Sequence, residues 1–113
     1  MIKFFCDIEG LQDNWIGMSE RWTQGETKLA EAAMGQGWTD YLAFLAKKVE
    51  SCNLLVGEMI LSNFTEVTEE SLDAMDLRLV GFIGGMISQT TIRLRSLGNA
   101  SARVSSSMNV GKN

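Results

Sequence analysis

The sequence predicts an α+β fold, an N-terminal β-hairpin followed by a mostly helical domain of about four helices. Three observations carry this reading. Apolar residues alternate at period two over the first stretch of chain. A Thr-x-x-Glu step ends that stretch, and apolar residues then recur at three- and four-residue intervals.

In the hairpin, Ile2, Phe4, Cys6 and Ile8 alternate with Lys3, Phe5, Asp7 and Glu9. A polar turn follows at Gly10 to Asn14, after which Ile16, Met18 and Trp22 alternate with Gly17, Ser19 and Arg21. Each strand has one apolar face that must be covered, and Phe5 and Trp15 are the aromatics left on the other. Thr23 and Glu26 have the spacing of a capping box, so a helix is expected from Gln24 to Met34, ended by Gly35-Gln36-Gly37. The next helix is expected from Trp38 to Asn53, because Trp38, Tyr41, Leu42, Leu45, Val49 and Cys52 fall on one face. Leu54 to Leu61, around Gly57, reads as a minor hairpin or a loop pinned to the core. Thr68 caps a short helix over Glu69 to Met75, where the acids suit the positive end of the helix dipole. Asp76 can cap a last helix from Leu77 to Leu97, with Gly98-Asn99 as its stop. Residues 1–97 thus form a single domain, and 98–113 read as a flexible polar tail.

Composition bounds the function. A chain of 113 residues is long enough to fold without metals or disulfides, and 45% hydrophobic with 21% charged residues is ordinary for a globular protein. Cys6 and Cys52 are far apart in sequence and read as two buried thiols; a disulfide between them is the alternative, though nothing in the spacing requests one. The opening residues lack the apolar core of a signal peptide. The longest apolar stretch, Leu79 to Ile87, is broken by glycines and falls short of the roughly 20 residues a membrane span needs. A cytoplasmic protein without membrane contact is expected.

The net charge is −4, and it is unevenly placed. Glu58, Glu66, Glu69, Glu70, Asp73 and Asp76 occur with no Lys or Arg among them, whereas from Arg78 onward only basic residues appear: Arg78, Arg93, Arg95, Arg103 and Lys112. Nucleic acid is not expected as a partner, since phosphate binding needs a concentrated basic face. Two solvated faces explain the asymmetry, and so does head-to-tail contact between identical subunits, with Glu69, Glu70 and Asp73 meeting Arg93 and Arg95.

A catalytic reading finds little to work with. The chain has no histidine, which removes the commonest general base and neutral metal ligand. Two isolated cysteines do not make a zinc site, and the carboxylates from Glu69 to Asp76 fit a solvated helix start better than a cation site. No catalytic residue, metal or cofactor is therefore expected. Gly81, Gly84 and Gly85 interrupt the last helix. They match no phosphate loop, but they allow close packing, either against the Trp38 side of the same chain or against a partner. Among the methionines, Met18 and Met86 fit core positions, while Met34, Met59 and Met75 stand near element ends where a binding surface is plausible. The expected partner-binding surface comprises Met34, Met59 and Met75 around Gly81, Phe82, Gly84, Gly85 and Met86.

The order of elements, with Arg21-Trp22-Thr23-Gln24-Gly25-Glu26, then Thr68-Glu69-Glu70-Ser71-Leu72-Asp73-Ala74-Met75-Asp76-Leu77, then a Ser-rich end, resembles the tail assembly chaperones of long-tailed bacteriophages. The resemblance implies a small non-enzymatic oligomer of the host cytoplasm. It would bind the hydrophobic tape-measure protein, help recruit tail-tube subunits, and be absent from the mature particle. It also implies a longer product made by ribosomal frameshifting, for which codons at Val110-Gly111-Lys112 are able to supply a slippery sequence. A structural virion component, such as a head-tail connector or tail-completion protein, is the alternative. A metal- or carboxylate-dependent enzyme using Glu69, Asp73 and Asp76 is a further alternative.

Overall fold

A computed structural model describes the backbone of residues 1–108 and the side chains of residues 1–97. The hairpin is present, but shorter than its alternation suggested. Strand β1 (Ile2–Phe5) pairs antiparallel with β2 (Trp15–Met18), and Phe5 lies opposite Trp15. Beyond Met18 the chain leaves the sheet. Trp22 therefore sits in a connecting segment, where its indole N–H donates to the Ser19 carbonyl (2.9 Å) and its ring meets Phe44 edge-on at 5.4 Å. The turn is held by Asn14, whose buried amide donates to the Leu11 carbonyl and accepts from the Leu55 N–H.

Helix α1 spans Gln24–Met34 and begins with the expected capping box: Thr23 accepts from the Glu26 N–H, and the Glu26 carboxylate accepts from the Thr23 N–H. Glu26 also pairs with the ammonium of Lys48, a residue 9% exposed that additionally donates to the Arg21 carbonyl at 2.8 Å.

Helix α2 spans Trp38–Lys48 and ends earlier than the periodicity implied. Val49–Val56 is instead a strand, β3, paired antiparallel with β2 on one side and with β4 (Met59–Leu61) on the other. The reason is competition between periods. Val49 and Cys52 continue the helical spacing, but Cys52 and Leu54 also alternate with Ser51, Asn53 and Leu55. A β-ladder to β2 gives those backbone groups long-range partners. Gly57 turns the β3–β4 hairpin at φ +61°, a conformation that costs glycine little. The four strands lie in the order β1-β2-β3-β4.

A 3₁₀ turn (Phe64–Glu66) leads to α3 (Glu69–Asp73), capped by Thr68. Asp76 caps the following helix through the Arg78 N–H. The single last helix anticipated from the sequence is two: α4 (Leu77–Gly84) and α5 (Met86–Met108), separated at Gly85. The backbone passes through Gly98-Asn99 as helix. Ala100, Ala102 and Arg103 beyond favour helix, and one internal glycine costs only about 1 kcal/mol, so the expected stop fails. The rest of the expected tail, Asn109 to Asn113 with the Val110-Gly111-Lys112 segment, lies outside the described residues.

One sheet face joins the helices in a common core that includes Ile16, Met18, Cys52 and Leu54 with Leu45, Leu79, Ile83, Met86 and Ile87. Its other face leaves Phe5, Leu55 and Ile60 40–62% exposed. Both cysteines are buried and free. Burial first, and the Glu66 carboxylate second, push the Cys52 thiol up to about 11.

Acid should erode this fold through its caps. The Arg78 guanidinium holds Asp76 down from 3.8 to about 2, and Lys48 with the Thr23 backbone lowers Glu26 below 4.5. A depressed carboxylate stabilises the fold above its ordinary pKa and loses that contribution as pH falls through the folded value. The thermal midpoint should therefore decline from pH 4.5 downward, and Asp76→Asn should flatten the lower part of the decline toward about 2. An unchanged profile in the variant, followed by circular dichroism, would contradict this assignment.

Candidate functional site

The described surface carries no group of three or more Cys, Asp or Glu side chains able to hold a metal ion. It offers apolar relief instead, one part of it where α1 ends and α4 gives way to α5.

That junction is built from α2. The Tyr41 hydroxyl reaches the break between α4 and α5. It shares its proton between the Gly84 (2.7 Å) and Ile83 (2.9 Å) carbonyls and accepts from the Ile87 N–H at 3.3 Å. Carbonyls at a helix end have no intrahelical partner, so one phenol satisfies α4's last turn and α5's first turn together. Burial raises the Tyr41 pKa, which keeps this donor protonated. Trp38 meets Tyr41 edge-on at 5.5 Å and lies over Gly84, where an added Cβ would stand 3.3 Å from the indole. Gly84 thus performs the close packing against the Trp38 side expected for this glycine set. Gly81 has open space around its Cα, and Gly85 faces only the Gln89 side chain and local backbone.

Met34, 47% exposed at the end of α1, borders two adjoining clefts. One, of about 270 Å³, lies against Gly37, Trp38, Tyr41 and Gly84. The other, of about 250 Å³, runs between α1 and α5 past Ile87, Thr91 and Ile92, and ends at the Glu31–Arg95 pair (3.9 Å). Ile92 is 63% exposed on this rim. Together they form a groove with an apolar centre and one charged pair at its end.

Of the expected partner-binding residues, Met34 and Gly84 come together here. Phe82 is half-buried against the core, and Met59, 66% exposed on β4, lines neither cleft. Met75 and Met86 are corrections. They are 8% and 0% exposed, because the bend between α3 and α4 turns Met75 onto the core and Met86, at the start of α5, takes the core position that its spacing also fitted, so they pack rather than dock. The spacing of Trp38 and Tyr41 marks them as one face of α2 and Ile87 as the end of an apolar stretch, not as groove residues, and Ile92 has no sequence signal of its own. Among the expected self-association residues, Glu69, Glu70 and Asp73 are exposed on α3, and Arg93 and Arg95 on α5.

No helix among the described residues is long and apolar enough to cross a membrane. Comparison with known protein families, curated proteins and solved structures finds no match.

Proposed function

We propose that this chain is a non-enzymatic assembly factor that holds an apolar helical segment of another protein. The observation that carries the reading is the groove around Met34. It joins an adaptable methionine, an aromatic wall at Trp38 and an exposed Ile92, in the manner of helix-in-groove recognition. The elements flanking it also suit a binding role, since Tyr41 fixes the α4–α5 junction before any partner arrives.

More particularly, the proposed role is that of a tail assembly chaperone of a long-tailed bacteriophage, acting in the host cytoplasm. It binds the hydrophobic tape-measure protein and helps recruit tail-tube subunits. Support comes from the sequence resemblance at Arg21 to Glu26 and Thr68 to Leu77, and from the apolar groove.

Co-expression with the tape-measure protein encoded by the same genome tests this role. The reading expects soluble tape-measure protein in the presence of the chain and insoluble material without it. Mass spectrometry of purified particles should find the chain missing. Insoluble tape-measure protein in both cases, or stoichiometric retention in particles, would contradict it, and the second result would favour a structural virion component.

A further inference from the structure

A second groove lies on the opposite side of α2. About 550 Å³ in volume, it is floored by Leu42, Ala43, Ala46, Phe64 and Val67 and bordered by Glu69 and Glu70 at the start of α3; no Lys or Arg lines it. Glu69 and Glu70 join no ion pair among the described residues, so the rim of the groove carries two unpaired carboxylates.

The complementary surface is on α5. Gln89, Ile92 and Ser96 share its exposed side. At roughly 100° per residue, Arg93 flanks Ile92 on one side and Arg95 on the other. Arg93 joins no ion pair among the described residues, and the Arg95–Glu31 contact is a long one between side chains 59% and 67% exposed, which costs little to release. Ile92, an exposed apolar side chain between two guanidinium groups, matches an apolar floor beside two carboxylates; Ile92 and Arg95 also rim the Met34 groove, so a second copy and the partner segment compete for this part of α5.

The two surfaces cannot meet within one chain. Thr39, Ala43 and Ala46 face the groove, whereas Tyr41, Leu45 and Lys48 are offset from them by two residues, roughly 200° around α2. Tyr41 holds the root of α5 through the Ile87 N–H, so α5 starts on the far side of α2 from the groove. We infer that the Leu42–Phe64 groove receives α5 of a second copy of this chain. Different patches meet in such a contact, so it is heterologous, and it propagates head to tail until a ring closes or a filament grows.

This inference extends the assembly-factor reading, and its test separates the two. Sedimentation of the full chain over a concentration series should show species larger than a dimer that dissociate at high salt. Arg93→Glu/Arg95→Glu should weaken association by roughly tenfold or more, as should Glu70→Lys with Ala43→Arg, both at exposed positions. Mixing the two charge-reversed proteins should restore association, because each then offers the surface the other lacks. A chain that stays monomeric at every concentration, or oligomers that both reversals leave intact, would overturn it. The Glu70→Lys/Ala43→Arg protein should still solubilise the tape-measure protein. Loss of that ability in a folded variant would mean that the Leu42–Phe64 groove takes the tape-measure segment and would overturn its assignment to α5 of a second copy, whereas failure of the wild-type chain to solubilise it, with charge-dependent association intact, would count against the chaperone reading alone.

Discussion

Tyr41→Phe is expected to destabilise the protein by roughly 2 kcal/mol and to lower the thermal midpoint by roughly 8 °C. The ring remains, so its contact with Trp38 survives. What is lost is the only atom in the Tyr41 side chain that bonds to the Ile83 and Gly84 carbonyls and the Ile87 N–H. Ile83 is 0% and Ile87 1% exposed, so solvent has little access to replace the hydroxyl at these two, whereas the carbonyl of half-buried Gly84 borders the cleft and can turn to water. Leaving a buried polar group unpaired costs about 1–3 kcal/mol. Urea unfolding monitored by circular dichroism checks the figure. A change within about 0.5 kcal/mol would mean that the α4–α5 junction is held by apolar packing alone, the range expected of a surface change.

Met34→Asp combined with Ile92→Asp is expected to weaken partner binding by roughly 30-fold or more while leaving the fold intact. Both side chains are substantially exposed, 47% and 63%, so the free protein solvates the new carboxylates. In the complex the same carboxylates would be stripped of water beside Trp38 and Ile87, with Arg95 already opposite Glu31. Residues at the centre of an apolar interface commonly contribute 2 kcal/mol or more, which is about 30-fold. A doubly substituted protein that melts as wild type and still solubilises the tape-measure protein would exclude the groove as the docking surface.

Local chemistry made much of this fold readable from sequence. Thr23, Thr68 and Asp76 mark their helix starts because capping is decided within three residues. The first hairpin follows from period-two alternation. The end of α2 was hidden because Val49 and Cys52 satisfy both periods, and only the distant ladder to Ile16 and Gly17 decides for the strand. The same holds for the site. Gly84 signalled close packing and Met34 signalled adaptability, each from its own chemistry. Tyr41 gave no such sign, because its partners lie more than 40 residues away in sequence. Met75 misled for a related reason: position near an element end does not reveal which way the bend after α3 turns a side chain, whereas Met86 takes the core position that its spacing also fitted.

A helical segment of the partner is proposed to sit in the groove between α1, α2 and α5. Backbone hydrogen exchange of the chain, alone and bound to the co-expressed tape-measure protein, tests it most directly. Exchange should slow over Ala30 to Trp38 and over Gly84 to Arg95, with β1 and β4 unchanged. Slowed exchange confined to the strands bearing Phe5, Leu55 and Ile60, with none around Met34, would contradict it.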